Sequence, residues 1–297
     1  MKRHAYLIIA HNEPRILEVL LQMLDVEWND IYLHIDKRNM LLNERMQHFP
    51  LNKARLFLLK KPIAVYWGHT SQVEVEFLLL RTASQNGPYT YYHLLSGCDL
   101  PLKSQTEIHD FFQKNEGREF IAYWNSGNDK KDALRKVRYY YIFNRYKKRA
   151  PFLLHTLTTP IRNILLITQK ALGLNRFRKC PLEIKKGSNW FSITEGCCQY
   201  VLSREKQIKS MFQYTLCPDE IFLHTIVWNS PYRKRLYNAD DAQAGAMRAI
   251  DWERGKPYIW RKEDVDTLLR SPYLFARKFS SSELEAVQLL AQKISQK

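Results

Sequence analysis

The sequence predicts an α/β protein whose sheet is largely parallel and flanked by helices. Three observations carry this. Short apolar runs alternate with helical-period segments over the first 125 residues, the pattern of strands joined by crossover helices. The composition, 45% hydrophobic and 26% charged over 297 residues, is that of a soluble globular chain. No repeat, low-complexity tract or Gly/Ser-rich linker divides it, so one domain is expected over 1–297.

The elements follow in order. Residues 5–10 are an apolar run stopped by His11-Asn12-Glu13. This reads as a first buried strand, because a signal sequence has a longer apolar stretch and a small-residue cleavage site. Residues 15–24 carry Ile16, Leu17, Leu20, Leu21 and Leu24 at helical spacing, with Pro14 suited to a helix start. Strands are predicted at 30–35 and 55–59, and a helix at 71–83. Residues 90–95 form a Tyr-rich strand, and Ser96-Gly97-Cys98-Asp99 turns after it. Residues 104–114 read as a helix with Ser104 and Thr106 as cap candidates, and 120–123 as a strand. In the last third, 187–193 is a strand. Helices are expected at 195–203, at 219–227 behind Pro218, at 263–269 and, amphipathic, at 281–295.

The middle differs. Residues 130–186 hold sixteen Lys/Arg, and their acids are Asp132 and Glu183. Inside lies an apolar stretch, 150–174, flanked by Arg145-Tyr146-Lys147-Lys148-Arg149 and Arg176-Phe177-Arg178-Lys179. One reading is a core helix pair with solvated ends. The other is an interfacial element that sets an apolar face in lipid and basic flanks on anionic headgroups. No run of 18 uncharged apolar residues exists, so no simple spanning helix is expected.

Composition narrows the function. The net charge is +16, which suggests a polyanionic partner: nucleic acid, a phosphate-bearing substrate or an anionic membrane. An inert basic surface is the plain alternative. Five Cys without a C-x-x-C pair exclude a disulfide scaffold or zinc ribbon. The odd count and the adjacent Cys197-Cys198 fit a reducing compartment. Neither a P-loop, G-x-G-x-x-G, H-E-x-x-H nor G-x-S-x-G is present, and no RNA-binding or zinc-finger spacing occurs.

What remains are acids and bases at strand ends, where open α/β sheets bind ligands. That rule picks out His11 through Glu13, His34, Asp36 and Ser96 through Asp99. Asp36 suits a hydrogen bond to a nucleotide base or ribose, and equally a turn cap. Asp99 is equally an ordinary turn acid. Tyr66-Trp67-Gly68-His69 is a stacking loop or a packed aromatic turn. Glu220 stands at a predicted helix start, where acids complement the dipole. It also suits a general base beside a hydroxyl nucleophile. Residues 274–279, with Arg277 and Lys278, suit a phosphate clamp or a solvated charge pair.

These fragments occur in a familiar order: AYLIIAHNEP at the start, YLHIDKR at 32–38, VYWGHTSQVEVEFLLL at 65–80 and YYHLLSGCDLPLKSQTEIHDFF at 91–112. GSNWFSIT at 187–194, CPDEIFLHTIVWNSP at 217–231, IDWERG at 250–255 and EDVDTLLRSPYLFARKF at 263–279 follow. In this the chain resembles the Core-2/I-branching β-1,6-N-acetylglucosaminyltransferase family, which includes the peptide O-xylosyltransferases. The resemblance implies a glycosyltransferase-A type fold. In it a Rossmann-like nucleotide-sugar half (about 1–125) adjoins an acceptor half and C-terminal diphosphate clamp (about 126–297) around a mixed sheet with helices on both faces.

It also implies an inverting reaction without metal or other cofactor, and residues 1–125, the nucleotide-side strands among them, carry no Asp-x-Asp motif. By the same likeness Glu220 is the catalytic base. His11, Asp36 and Asp99 belong to the donor side, and Lys278 holds the diphosphate. The family's second diphosphate cation does not align. Tyr258 stands near its place, with Lys256 and Arg261 beside it. Trp252 matches an acceptor-site tryptophan, and Arg138 falls loosely on a sugar-contacting basic segment.

The implied partners are a UDP-sugar and a glycan or lipid-linked glycan, with an anionic membrane surface in reach and no nucleic acid. N-Acetylglucosamine ranks ahead of xylose as donor sugar. A bacterial cytosolic member building surface glycans, peripheral on the inner membrane face, is the expected setting. The rival from another class is a non-catalytic basic protein that binds nucleic acid or membrane. It has no need for Glu220, and Asp36 and Asp99 would weaken its hold on a polyanion.

Overall fold

The computed structural model describes residues 2–147 and 151–296. Nine strands are seen among them: β1 His4–Ala10, β2 Asn29–Ile35, β3 Arg55–Leu58, β4 Tyr91–Ser96, β5 Asp99–Pro101, β6 Phe120–Ile121, β7 Phe191–Thr194, β8 Arg248–Ile250 and β9 Phe275–Arg277. Six form one sheet in the order β3-β2-β1-β4-β7-β6. The first four are parallel. β7 then runs antiparallel to β4, and β6 antiparallel to β7. The sheet is therefore mixed, as the family likeness implied, with a parallel part of four strands and two antiparallel strands added at one side. A small second sheet, β5-β9-β8, sits beside it.

β1 shows why both faces are covered. Its side chains alternate, as a pleated strand requires. Tyr6, Ile8 and Ala10 enter one core with the helices Pro14–Met23, Gln105–Lys114 and Leu284–Ser295. Ala5, Leu7 and Ile9 enter the other with Ser71–Ser84, Glu195–Ser203 and Phe222–Trp228. Expectation and structure agree on most of these elements.

Several expectations need correction. Ser104 caps its helix through a reciprocal pair with Glu107, and Thr106 lies inside the helix. The turn at 96–99 runs straight into β5, whose Asp99 pairs Arg277 of β9. The strand at 120 is only two residues long. The helix expected over 219–227 is broken: a 3-10 turn, Pro218–Glu220, precedes Phe222–Trp228. Cys217 enters that turn in the left-handed region, φ 49, and the Glu220 carbonyl accepts the Gly187 N–H at 3.0 Å.

Helices at Met40–Gln47, Gly127–Arg138 and Glu205–Phe212 were not read: the first is a short run whose Met40 and Leu41 are exposed, and the other two are mostly polar. The apolar middle is neither a core nor a pair. It is one helix, Phe152–Ala171, with Pro160 inside and Thr158 its buried residue.

Candidate active site

The carboxyl ends of β1, β2 and β4 meet along one edge, stitched by the Asp36 N–H to the Ala10 carbonyl (2.8 Å) and the Gly97 N–H to the Ile9 carbonyl (3.0 Å). Asp36 is buried there. Its Oδ1 accepts from the Arg38 N–H and Nε, and its Oδ2 from Arg38 Nη2 and the Val65 N–H. Burial alone would raise its pKa, but these bonds and the Arg38 charge hold it below the ordinary value. Asp36 thus presents Arg38, whose guanidinium lies 4.8 Å from the Tyr66 ring centre. His34 is buried, its Nε2 accepts from the Ile63 N–H, and burial lowers its pKa to about 4, so it serves the strand. His11 follows β1 exposed, and its carbonyl accepts from Asn39 Nδ2.

A second group forms where β5 meets β9. Asp99 accepts from the Ser96 N–H at 2.7 Å, from the Ser96 hydroxyl at 2.8 Å and from Arg277 Nη1 at 2.7 Å. Arg277 also lies over the Trp190 ring, 4.7 Å from its centre. It is turned inward and neutralised by Asp99. Lys278, next along the chain, is half-buried, and its charge acts on Glu13 and Cys98. Burial would raise the Glu13 pKa, but hydrogen bonds from Ser281 and Ser280, with Lys278, bring it below the ordinary value.

The backbone joins Lys278 to the place expected for a second cation: its N–H donates to the Tyr258 carbonyl at 3.3 Å. Arg254 stacks on Tyr258 at 4.0 Å but is held by Asp251 and Asp264. Arg261 is exposed, 6.0 Å from the same ring, with Glu283 at 3.8 Å. Lys256 is exposed in the same turn.

The third group is built on Glu220. Lys136 Nζ donates to Glu220 Oε2 at 2.6 Å and sits 3.1 Å from Asp132. Asp132 also pairs Arg135 and Lys186. Burial works against the Lys136 charge, yet Glu220 and Asp132 overcome it and raise its pKa above the usual amine range. Lys186 lies over the Trp124 ring at 4.8 Å, and Trp124 meets Trp252 edge-on at 6.3 Å. Trp252 is 48% exposed, so a chain of contacts runs from the carboxylate to an open indole face.

Beside Glu220 lie two further acids, half-buried Asp219 and buried Glu76. Burial and then the Glu220 charge push Asp219 up to about 7; burial and then Asp219 raise Glu76 well above its ordinary value.

Two glycines permit this packing. Gly187 touches Ala122, where an added Cβ would stand 1.9 Å from the carbonyl oxygen. Gly68, φ +70, backs onto Cys217 and accepts its N–H at 3.0 Å. The aromatic loop 66–69 therefore bridges the Asp36–Arg38 pair and the Glu220 turn. Arg138 departs from this centre: its Nε donates to the Leu174 carbonyl at 3.2 Å.

Sequence reasoning missed Lys136, Asp132 and Lys186. Their one signal was an i,i+4 acid–base pair in a polar stretch. Among the described residues no group of three or more His, Cys, Asp or Glu is placed to hold a metal ion.

Comparison with known proteins adds the family. The chain is similar to xylosyltransferase 2 of Rattus norvegicus, 23% identical over 299 residues and covering 94% of this chain but 32% of that protein. Xylosyltransferase 2 of Homo sapiens is 22% identical with the same coverage. The chain thus spans about a third of the length of these relatives. The crystal structure of mouse xyloside xylosyltransferase 1 in its apo form aligns over 92% of this chain and 96% of its own, at 12% identity and a TM-score of 0.37. The model of the Core-2/I-branching enzyme family matches residues 4–266, nearly all of the structure just described, and the chain belongs to that family.

Proposed function

We propose that the chain is an inverting glycosyltransferase that moves a sugar from a UDP donor to a hydroxyl of a glycan or lipid-linked glycan. Xylose takes first place as the donor sugar, ahead of the N-acetylglucosamine that the sequence motifs favoured, because the relatives above are named for xylosyl transfer. N-Acetylglucosamine remains the second reading, supported by the family's branching enzymes.

One observation carries the proposal: Glu220 held by Lys136 at 2.6 Å, joined to the exposed Trp252 through Trp124 and Lys186. Lys136 takes Glu220 Oε2, which leaves Oε1 to face an acceptor hydroxyl stacked against Trp252. Glu220 receives that hydroxyl proton as the oxygen attacks the anomeric carbon. The bond from that carbon to the diphosphate breaks on the opposite face, and UDP departs with the electron pair. A single displacement turns an α-linked donor into a β-glycoside.

Negative charge grows on the diphosphate, where fixed cations stabilise it most. Lys278 is the first of these and Arg261 the second, with the Tyr258 hydroxyl as a donor beside them. In this reading no divalent ion takes part. Asp36 acts through Arg38, which with Tyr66 frames the nucleoside. Transfer screened with UDP-xylose and UDP-N-acetylglucosamine, with and without EDTA, tests the proposal. Turnover of neither donor would overturn it, and strict dependence on Mn²⁺ or Mg²⁺ would remove the metal-free step.

A further inference from the structure

In the helix Phe152–Ala171 Thr158 is the one buried residue. The helix is tied to the body near its carboxyl end, where Gln169 exchanges hydrogen bonds with the Tyr140 N–H (2.7 Å) and carbonyl (3.1 Å). Its outer side carries Leu153, Leu157, Ile161, Ile164 and Ile167. These recur at spacings of three and four, so they share one face. All five are between 47% and 68% exposed, and Phe152 at the tip is 87% exposed. Twenty residues extend about 30 Å at 1.5 Å each. A bare apolar stripe of that length on a water-facing helix calls for a covering surface.

Charge identifies the cover. Residues 133–182 contain twelve Lys/Arg and no Asp or Glu. Exposed Lys170, Arg178 and Lys179 stand at the carboxyl end of the helix and just beyond it. Lys148 and Arg149, at the other end, lie outside the described residues. A second copy docked symmetrically would set this cationic surface against itself. A surface both apolar and anionic meets both features, and a bilayer leaflet with acidic headgroups is one. Among the described residues no helix is long and apolar enough to cross a membrane, so the geometry is that of a helix lying along the interface.

The segment before the helix also reaches the cleft. Arg145 is 6.0 Å from the Tyr66 ring centre and Lys147 5.2 Å from that of Trp67, in the loop that backs the Glu220 turn.

We propose that the outer face of helix 152–171 binds anionic lipid surfaces and holds the catalytic cleft beside the bilayer. The orientation of the cleft rests on the glycosyltransferase reading; the lipid binding does not. The test is flotation of the full chain with phosphatidylcholine vesicles, with and without phosphatidylglycerol, at low and high salt. Binding is expected only to the anionic vesicles at low salt.

Replacing Leu157, Ile161 and Ile164 by Ser removes three inserted side chains, each worth roughly tenfold in binding. Reversing Lys170, Arg178 and Lys179 to Glu removes cations worth about fivefold apiece, so a loss beyond about a hundredfold is expected. All six positions are on the surface or on exposed loops, so folding, read by circular dichroism, and hydrolysis of UDP-xylose in solution are expected to stay unchanged.

No binding to anionic vesicles at low salt overturns the proposal. So does binding that survives both sets of changes, or a dimer that the Ser variant dissolves while vesicles are ignored. Vesicle binding by a chain inert toward every UDP-sugar sinks the catalytic reading and leaves this one standing.

Discussion

At the scale of single residues the candidate site rests on one charged contact. Glu220→Gln keeps the shape but cannot accept a proton, and general-base catalysis is worth about 10²–10⁴-fold. Transfer is expected to fall by that much while UDP affinity, read by calorimetry, is kept; near-normal turnover would remove Glu220 from the mechanism.

Lys136 gives a finer test. Its Nζ holds Glu220 Oε2 at 2.6 Å and so fixes which carboxylate oxygen is open. Lys136→Met is expected to lower kcat with little change in UDP affinity, and Lys136→Arg, which keeps a donor there, is expected to recover part of the rate. Equal activity of the Met and Arg variants would remove Lys136 as a positioning residue. Lys278→Ala is expected to weaken UDP binding and slow transfer together, because a diphosphate clamp acts on bound donor and leaving group alike. Unchanged UDP affinity in that variant would place the clamp elsewhere.

At the scale of elements, the turn Pro218–Glu220 carries a pH dependence of its own. Asp219 is half-buried with its Oδ1 enclosed, and it keeps its proton up to about 7, against 3.8 for an ordinary Asp. Across that interval the unfolded chain has released a proton that the folded chain retains. Stability from this group is present below 3.8 and falls as pH rises toward about 7. Asp132 works in the opposite direction, since its pKa lies below the ordinary value, and its contribution is lost only in stronger acid. Asp219→Asn should flatten the decline between those limits in melting experiments across pH. A wild-type slope retained by the variant would place the titrating group elsewhere.

The same turn shows what the sequence told and withheld. Strands such as β1 were legible because apolar runs bounded by polar stops have one reading. Asp36 and Asp99 were legible as strand-end residues, and Lys278 and Glu220 through the segments that carry the family likeness. Lys136 was not, because the polar helix Gly127–Arg138 has only Ala133 and Val137 as buried apolar residues, too few for a periodic signal. The break after Glu220 was hidden too. It depends on Gly187, 33 residues upstream, accepting no side chain beside Ala122. The apolar sequence of helix 152–171 admits two readings, core and lipid-facing, until its exposure is seen.

At the scale of the whole molecule, the two halves expected from the family likeness are interleaved. β7 comes from the second half and lies between β4 and β6 of the first. β9 pairs β5 along Asp99 to Pro101. The core beneath Tyr6 and Ile8 is completed by Phe275, Phe279, Val287 and Leu290, and the opposite core by Phe191 and Ile193. A fragment of residues 1–125 therefore keeps four parallel strands but loses these six covering side chains. Each buried side chain of this size contributes about 1.5–3 kcal/mol, so their sum matches or exceeds the roughly 5–15 kcal/mol that holds a domain together. The fragment is expected to show no cooperative thermal transition by calorimetry, while the full chain unfolds in a single step. A fragment with its own sharp transition would make the nucleotide half an independent domain. The proposed site, which draws Lys278 and Glu220 from the rest of the chain, would then be shared between two bodies.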